Sequence, residues 1–393
     1  MTSVHLVAGN QLTLLQNGTA FFPQLRDDID AAQHLIYLET YIFAADETGR
    51  MIADALQRAA SRGVAVCVLL DGFGSAELPK YWVDELRLAG VEVQWFRREV
   101  SPFTLRRSRK RRLFRLHRKL AVMDGEVAFI GGINIVDDIP EYSNFAMPRL
   151  DYAVRVQGPV AGEIHLAMRR LWGVISWVNF RRRSKEIRRF ALGRTEHAAS
   201  PEIAFLLRDN LRHRRDIERA YLKAIAGAQR EIIIANAYFL PGRTFRRALK
   251  HALRRGVRVV LLLQGKVEYR LQHYATHALY DQLLVAGAEI YEYQASYLHA
   301  KVAVVDGKWA TVGSSNIDPF SLLLAREANI SISDAGFAGK LRASLLDAIA
   351  SDAARIGGKH GVKRNLFGRL VARLSYGAVR LLIGMLGYRR HGS

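Results

Sequence analysis

Two stretches of the chain carry the same four polar residue types at the same offsets. His117, Lys119, Asp124 and Asn134 follow the spacing H-x-K-x4-D-x6-G-x2-N, and His299, Lys301, Asp306 and Asn316 repeat it 182 residues later. A match of this kind, made twice, is hard to obtain by accident. One set offers an imidazole, an ammonium and an amide. Two sets facing one another offer two imidazoles flanked by two ammonium groups, which suits displacement at a phosphodiester. One neutral histidine attacks phosphorus, the other, as imidazolium, protonates the leaving oxygen, and the lysines and asparagines hold the non-bridging oxygens. Histidine fits both parts because it changes charge near pH 7. A covalent phosphohistidine divides the displacement in two, so an alcohol can replace water in the second step. Fixed lysines supply positive charge, and clustered carboxylates or Cys/His ligand spacings are absent from the sequence, so neither a metal nor a cofactor is expected.

The motif needs a strand to present it. Leu116 to Met123 alternates, which predicts a strand with His117, Lys119 and Ala121 on one face and Leu116, Leu120 and Val122 on the other. Asp124-Gly125 and Asp306-Gly307 are hairpin dipeptides, each followed by an apolar strand (127–130 and 309–312) that returns Asn134 or Asn316 to the His/Lys face. The two aspartates, placed at turns, suit bracing the loop better than reacting. Each histidine needs an acidic partner to orient it. Glu327 follows His299 by 28 residues and Asp151 follows His117 by 34, both opening strand-like runs. Asp151 reads equally well as a carboxylate at a strand edge.

The repeat extends well beyond the motifs. Ile36 to Phe43 reads as a strand, Met51 to Arg62 as a helix stopped by Gly63, Val64 to Leu70 as a strand buried on both faces, and Val91 to Phe96 as another strand. The same order returns at Arg230–Phe239, Arg243–Arg255, Arg255–Gly265 and Ala286–Ile290. The expected architecture is a duplicated α/β domain. The boundaries are drawn at 1–175, a basic linker 176–200, a second domain 201–355 and a terminal amphipathic helix 362–390. A chain of 393 residues accommodates this comfortably. The single cysteine, Cys67, sits in an apolar strand, so no internal disulfide is possible, which fits a reducing compartment.

Charge points to the partner. The 58 Lys and Arg residues outnumber the 37 Asp and Glu by 21, an excess that calls for a polyanion, either nucleic acid or an anionic membrane. Two basic stretches break the internal symmetry: Arg97 to Arg115 before the first motif, and Arg169 to Arg183 between the halves, where Trp172 and Trp177 are interleaved. Such a run on its own reads as a solvated face; basic and aromatic residues recurring together favour a headgroup layer. Toward the end, Leu366, Leu370, Leu374, Leu381 and Met385 share one side of a helical wheel, with Arg369, Arg373 and Arg380 opposite. That pattern suits a helix lying in a membrane interface, the alternative being a helix docked on the body. No signal peptide and no run of eighteen apolar residues is read.

On these residues the chain resembles the phospholipase D superfamily over nearly its whole length. Leu69 to Ser75, Ile234 to Gly242 and Ala310 to Pro319 are similar to the corresponding segments of bacterial cardiolipin synthases of the B type. The resemblance implies two tandem phospholipase-D-like domains, each a mixed sheet flanked by helices, related by a pseudo-twofold axis at which the motifs meet. It implies transfer of a phosphatidyl group from one phosphatidylglycerol to the hydroxyl of another, releasing glycerol, with His117 as nucleophile and His299 as acid and base. It also implies a peripheral protein on the cytoplasmic face of the bacterial membrane, with anionic phospholipid rather than nucleic acid as partner. One departure stands out. Ser314-Ser315 replaces Gly132-Ile133, so hydroxyl donors to phosphate are expected only from the second half, and which histidine attacks stays open. The rival readings are a phosphodiesterase of the same superfamily acting on phospholipid or nucleic acid, and a silent membrane- or DNA-binding protein. Oligomeric state is not fixed by the sequence. Deleting the residues after Lys363 is expected to weaken co-sedimentation with anionic vesicles; unchanged binding would make the tail a structural element only.

Overall fold

The computed structural model describes residues 6–97, 114–139, 147–178, 201–209, 213–266, 276, 279–318 and 325–357. The expected tail helix lies outside them, as do most of the basic insertion and most of the linker. In the first half the order is β1 (Gln11–Gln16), α1 (Asn17–Ala31), β2 (Leu35–Thr40), α2 (Glu47–Ser61), β3 (Ala65–Asp71), α3 (Lys80–Leu88) and β4 (Glu92–Phe96). Then come β5 (Arg115–Leu116), β6 (Leu120–Met123), β7 (Val127–Gly131), β8 (Tyr152–Gln157) and α4 (Pro159–Val178). The second half runs β9 (Glu202–Arg208), α5 (Asp216–Gly227), β10 (Glu231–Asn236), α6 (Arg243–Arg254), β11 (Arg258–Gln264) and β12 (Glu289–Tyr293). It ends with β13 (Lys301–Val305), β14 (Trp309–Gly313), β15 (Ala325–Ser333), α7 (Ala335–Asp352) and β16 (Ala353–Ile356).

The first sheet has the order β1-β8-β7-β6-β2-β3-β4 and the second β16-β12-β11-β10-β13-β14-β15, with β9 and β5 also paired to β15. In each sheet a parallel trio (β2, β3, β4 or β10, β11, β12) meets an antiparallel meander at β6 or β13. The apolar runs that predicted doubly covered strands behave so. Cys67 and Leu69 of β3 face a central core shared by both halves, while Val66, Val68 and Leu70 face an outer core under α2 and α3. In β11, Val260 and Leu262 join the central core and Val259, Leu261 and Leu263 an outer one with α5 and α6. Helices α4 and α7, with no counterpart in the sequence reading, fill the central core beside the sheets. Tyr152 Oη lies 2.7 Å from Ser344 Oγ, tying β8 to α7 across the halves.

One expected element is divided. The strand predicted over Leu116–Met123 breaks after Leu116: β5 pairs in parallel with β15 of the other sheet, and the first sheet resumes only at Leu120. The physical reason lies in the partners of the backbone. Leu116 N–H donates to the buried Asp71 carboxylate at 2.7 Å and His117 N–H to Arg326 O at 3.0 Å, so neither is available to β2.

The hairpins after the motifs adopt the turn their sequence demands. Asp124 and Gly125 have φ of 53° and 74°, and Asp306 and Gly307 55° and 65°, the left-handed pair of a tight turn. The turns are closed by Glu126 N–H on Met123 O and by Lys308 N–H on Val305 O, within three-residue loops that join Met123 to Val127 and Val305 to Trp309. Asp124 accepts the backbone N–H groups of Gln33, His34 and Leu35, each at 2.8 Å. Asp306 does the same for Gln229, Arg230 and Glu231 at 2.8, 2.8 and 2.9 Å. Each aspartate thus anchors the start of the central parallel strand at the end away from the histidines. Asp124→Ala and Asp306→Ala are each expected to lower unfolding stability by about 1–3 kcal/mol in urea titrations, through three lost charge-assisted hydrogen bonds. Although burial pulls upward, the three N–H groups and Arg230 hold the Asp306 carboxyl below its ordinary range. Its contribution is therefore present above that range and fades as pH falls through it.

Candidate active site

The two motifs arrive at one place from opposite sheets. Each histidine is carried on a short segment that reaches across to the other half. His117 N–H donates to Arg326 O, and His299 N–H to Leu150 O at 2.9 Å. The residue before each histidine is held by a side chain at the end of its own neighbouring strand, Leu116 by Asp71 and Leu298 by Gln264 at 2.9 Å. These two holders occupy matching positions in the repeat, where no reacting group was expected.

The carboxylates cross as well. His117 Nδ1 lies 3.1 Å from Glu327 Oε2, and His299 Nδ1 lies 2.6 Å from Asp151 Oδ2. Each histidine thus takes its acid from the half it does not belong to. The histidine side chains are 17% and 18% exposed while Glu327 and Asp151 are 0% and 5% exposed, so the acids sit behind and the rings reach the opening. With Nδ1–H donated to a carboxylate, the lone pair of a neutral ring is left on Nε2.

Lys119 Nζ donates to His117 O at 2.8 Å and Lys301 Nζ to His299 O, which folds each ammonium back beside its own histidine. Tyr41, which the sequence did not mark, packs its ring 4.9 Å from that of His117 and 5.2 Å from Lys119 Nζ. Asn134 and Asn316 are both buried next to the motifs, and Asn134 Oδ1 accepts Ile42 N–H, leaving its amide NH2 to donate. Of the expected residues, His117, Lys119, His299, Lys301, Asp151 and Glu327 converge, while Asn134 and Asn316 lie buried just after the returning strands. Asp124 and Asp306, which the motif spacing groups with them, stand at the hairpin turns and hold the starts of β2 and β10.

Ser314 also takes a different part from the one expected. Its hydroxyl donates to Glu327 Oε2 at 2.5 Å and accepts Ala328 N–H at 3.1 Å, so it steadies the acid behind His117 and is not aimed at a phosphate. The Ser315 hydroxyl, likewise buried, turns to the backbone oxygen of Asn316. In the first half the matching residue is Gly132, where an added Cβ would overlap the Asp151 carboxylate. A serine fits beside the glutamate and only a glycine beside the shorter-armed aspartate.

Electrostatics follow from burial among cations. Burial lowers the His117 pKa, with Lys119 and Lys301 adding to the effect and Glu327 opposing it. His299 falls well below its ordinary value for the same reason, with Lys301, Lys119 and Arg149 contributing. Burial also brings Lys119 down to about 7, helped by Lys301, so the two ammonium groups sense one another. The two acids diverge. Burial pushes Asp151 up to about 6 against the pull of Lys301 and Lys119. Glu327 is equally enclosed, yet His117, Lys119 and the Ser314 hydroxyl outweigh burial and hold it below its ordinary range. Arg208, fully buried and directly opposite Glu327 in the β9–β15 ladder, lies beside the same acid, whereas Asn17 takes that place beside Asp151.

A further asymmetry lies under the first histidine. The Arg118 guanidinium is 2.8 Å from the Glu39 carboxylate in a buried pair, with Arg326 of the second half nearby. The matching residues of the second half are Ala300 and Ala235. The variable position of an H-x-K pattern gives no sign of such a pair.

The chain matches the family model described as cardiolipin synthase, PLD-like domain, over residues 25–139 and 221–348, one segment in each half. It is 39% identical over 385 residues to a protein named cardiolipin synthase B from Salmonella typhimurium, covering 97% of this chain and 90% of that one. It is 38% identical over the same length to cardiolipin synthase B of Escherichia coli K12, with the same coverage. Among solved structures, the phosphatidylserine synthase of Haemophilus influenzae superposes with a TM-score of 0.67 at 16% identity, covering 98% of this chain and 96% of that one, a likeness of fold. With two matched segments, one around each histidine motif, and relatives alike over nearly their full length, the chain belongs to the cardiolipin synthase family of phospholipase D-like proteins.

Proposed function

We propose that the protein is a cardiolipin synthase that transfers a phosphatidyl group between two phosphatidylglycerol molecules through a phosphohistidine. The observation that carries the mechanism is the pair of histidines brought together from the two motifs, each with Nδ1 on a carboxylate of the other half and each beside a lysine. His117 is the nucleophile in this reading. Its Nε2 forms a bond to phosphorus, the bond from phosphorus to the headgroup glycerol oxygen breaks, and His299 gives that oxygen its proton. The arriving phosphodiester anion favours the protonated form of His299 that this step needs. Lys119, Lys301, Asn134 and Asn316 surround the non-bridging oxygens, where charge develops. In the second half-reaction His299 takes the proton from the glycerol hydroxyl of a second phosphatidylglycerol. The alkoxide oxygen bonds to phosphorus, the bond to His117 breaks, and cardiolipin forms.

Glu327, held below its ordinary range, suits the nucleophile, because its carboxylate stabilises the positive charge His117 acquires on phosphorylation. Asp151, close to titration near neutrality, suits the histidine that exchanges protons. The division into halves at 1–175 and 201–355 with a linker at 176–200 is part of this reading, with α4 running on to Val178 and with Arg115 and Leu116 paired to the second sheet. No described helix is long and apolar enough to cross a membrane. We assign attachment to the cytoplasmic face of the bacterial membrane to surface contacts and to the basic tail, on the basic and aromatic stretches of the sequence.

Purified protein incubated with phosphatidylglycerol vesicles is expected to yield cardiolipin and free glycerol by mass spectrometry; cleavage of DNA with no lipid product would defeat this reading. His117→Ala and His299→Ala are each expected to reduce transfer by at least about 10²–10⁴-fold, the range of acid–base and nucleophilic contributions. The pH profile is also specified. Asp151 must be ionised to support imidazolium at His299, so kcat/KM should fall as pH drops through about 6. Lys119 must be protonated to hold phosphate, so kcat/KM should fall again as pH rises through about 7. Asp151→Asn should remove the acidic limb, and a profile left unchanged in that variant would separate Asp151 from the proton transfer.

A further inference from the structure

The arginines around the mouth of the site lie against aromatic rings. The histidine segments open at the end of the molecule where the parallel strands β2, β3 and β4 finish. There Arg115, two residues before His117, places its Cζ 4.5 Å from the ring of Phe73, a residue that is 54% exposed. Arg97, directly after β4, lies 4.9 Å from the ring of Phe114 and 5.3 Å from that of Phe96. Helix α4 ends at the same rim, because Gln94 of β4 donates to Ser176 Oγ at 2.7 Å. Trp177 and Val174, 80% and 58% exposed, thus belong to the last turns of a helix whose end is tied to β4 two residues before Phe96.

The opposite end has another character. Arg58 pairs with Asp30 at 2.7 Å, Arg258 with Glu289 at 2.7 Å, and Arg342 with Glu231. Charge there is neutralised locally. At the site rim, guanidinium groups are set among large apolar side chains. A ring stacked under an arginine suits the boundary of a bilayer, where aromatic groups settle among the headgroups and guanidinium binds phosphate. The chain leaves this rim twice, after Arg97 and after Val178. The stretches that follow, 98–113 and 179–200, each carry seven Lys and Arg residues against one and two acidic residues respectively. The second half has Lys266 in place of Phe73, so the aromatic rim belongs to the first half.

We propose that Trp177, Val174, Phe73, Arg115 and Arg97 form the surface on which the protein docks to an anionic phospholipid bilayer, first half foremost, with the shared site opening onto the headgroups. This rests on the reading of phospholipid as the substrate and states how the substrate layer is reached. The bilayer is favoured over nucleic acid because Trp177, Val174 and Phe73 expose large apolar surface at the ends of α4 and β3, and apolar burial is what a bilayer adds to charge attraction.

The test compares wild-type protein with a Trp177→Ala/Phe73→Ala double variant in co-sedimentation with vesicles of phosphatidylglycerol and phosphatidylethanolamine. Partition of the double variant should be at least about tenfold weaker, which two large apolar side chains readily supply. Quenching by lipids brominated in the acyl chain should be strong in the wild type and largely lost in Trp177→Phe, a milder change that keeps the test sound if the double variant folds poorly. Unchanged partition together with equal quenching in Trp177→Phe would overturn the proposal. So would a Trp177 emission, taken as the difference between wild type and Trp177→Phe, that is already blue-shifted without vesicles and unmoved by them, because the rim would then be covered by the chain itself. Turnover of dispersed short-chain phosphatidylglycerol should survive in the double variant, since neither residue touches the histidines. A wild type that binds vesicles through Trp177 but forms no cardiolipin would leave the docking surface standing and remove the synthase reading.

Discussion

The structure depends on an exchange between its halves. His117 is oriented by Glu327 and hydrogen-bonded through its backbone to Arg326, while His299 is oriented by Asp151 and hydrogen-bonded to Leu150. Neither half on its own supplies the carboxylate for its motif histidine. A pair with hydrogen bonds of 3.1 and 2.6 Å tolerates little relative movement, so the contact between halves has to be rigid. That accounts for the location of the largest core. Residues from β3, β6, β8, β11, β13, β15, α4 and α7 share one apolar cluster running between the sheets. The break of the first motif strand into β5 is the local form of the same constraint, because the histidine must be delivered to the partner strand.

Symmetry of backbone leaves room for difference of charge. The exchanged acids occupy matching positions, yet Glu327 is met by Ser314 and faces Arg208, and Asp151 is met by Gly132 and Asn17. One acid stays ionised and the other approaches neutrality within the working range. The buried Arg118–Glu39 pair sharpens the distinction, since its counterpart in the second half is alanine on both sides. Such a pair contributes little net stability compared with an apolar replacement, but breaking it strands a buried charge. Duplication therefore supplied the frame, and a handful of substitutions set the two histidines in different electrostatic surroundings.

Much of this was legible in the chain. The apolar runs at 64–70 and 257–263 announced strands covered on both faces, and the Asp-Gly dipeptides announced hairpins, because these features follow from local periodicity and allowed φ. The bracing part of Asp124 and Asp306 followed from their place at the turn. What escaped was non-local. Helices α4 and α7, which follow β8 and β15 at matching places in the repeat, were not read from the sequence, because both are settled by packing in the core between the two sheets. Ser314 looked like a phosphate ligand because its hydroxyl lies in the motif; its actual partner comes from β15. Arg118, Tyr41 and Arg208 carry no motif signature, and only packing places them near the histidines.

The sequence by itself determined the candidate reacting groups, their doubled spacing and the layered α/β frame, because residue chemistry and hydrophobic period act over a few positions. The tertiary structure alone decided that each histidine takes its carboxylate from the other half, that β5 leaves its own sheet, and that the two acids differ in charge. Those outcomes depend on which surfaces meet and how much water they expel, and burial among distant neighbours sets a pKa that no spacing along the chain encodes.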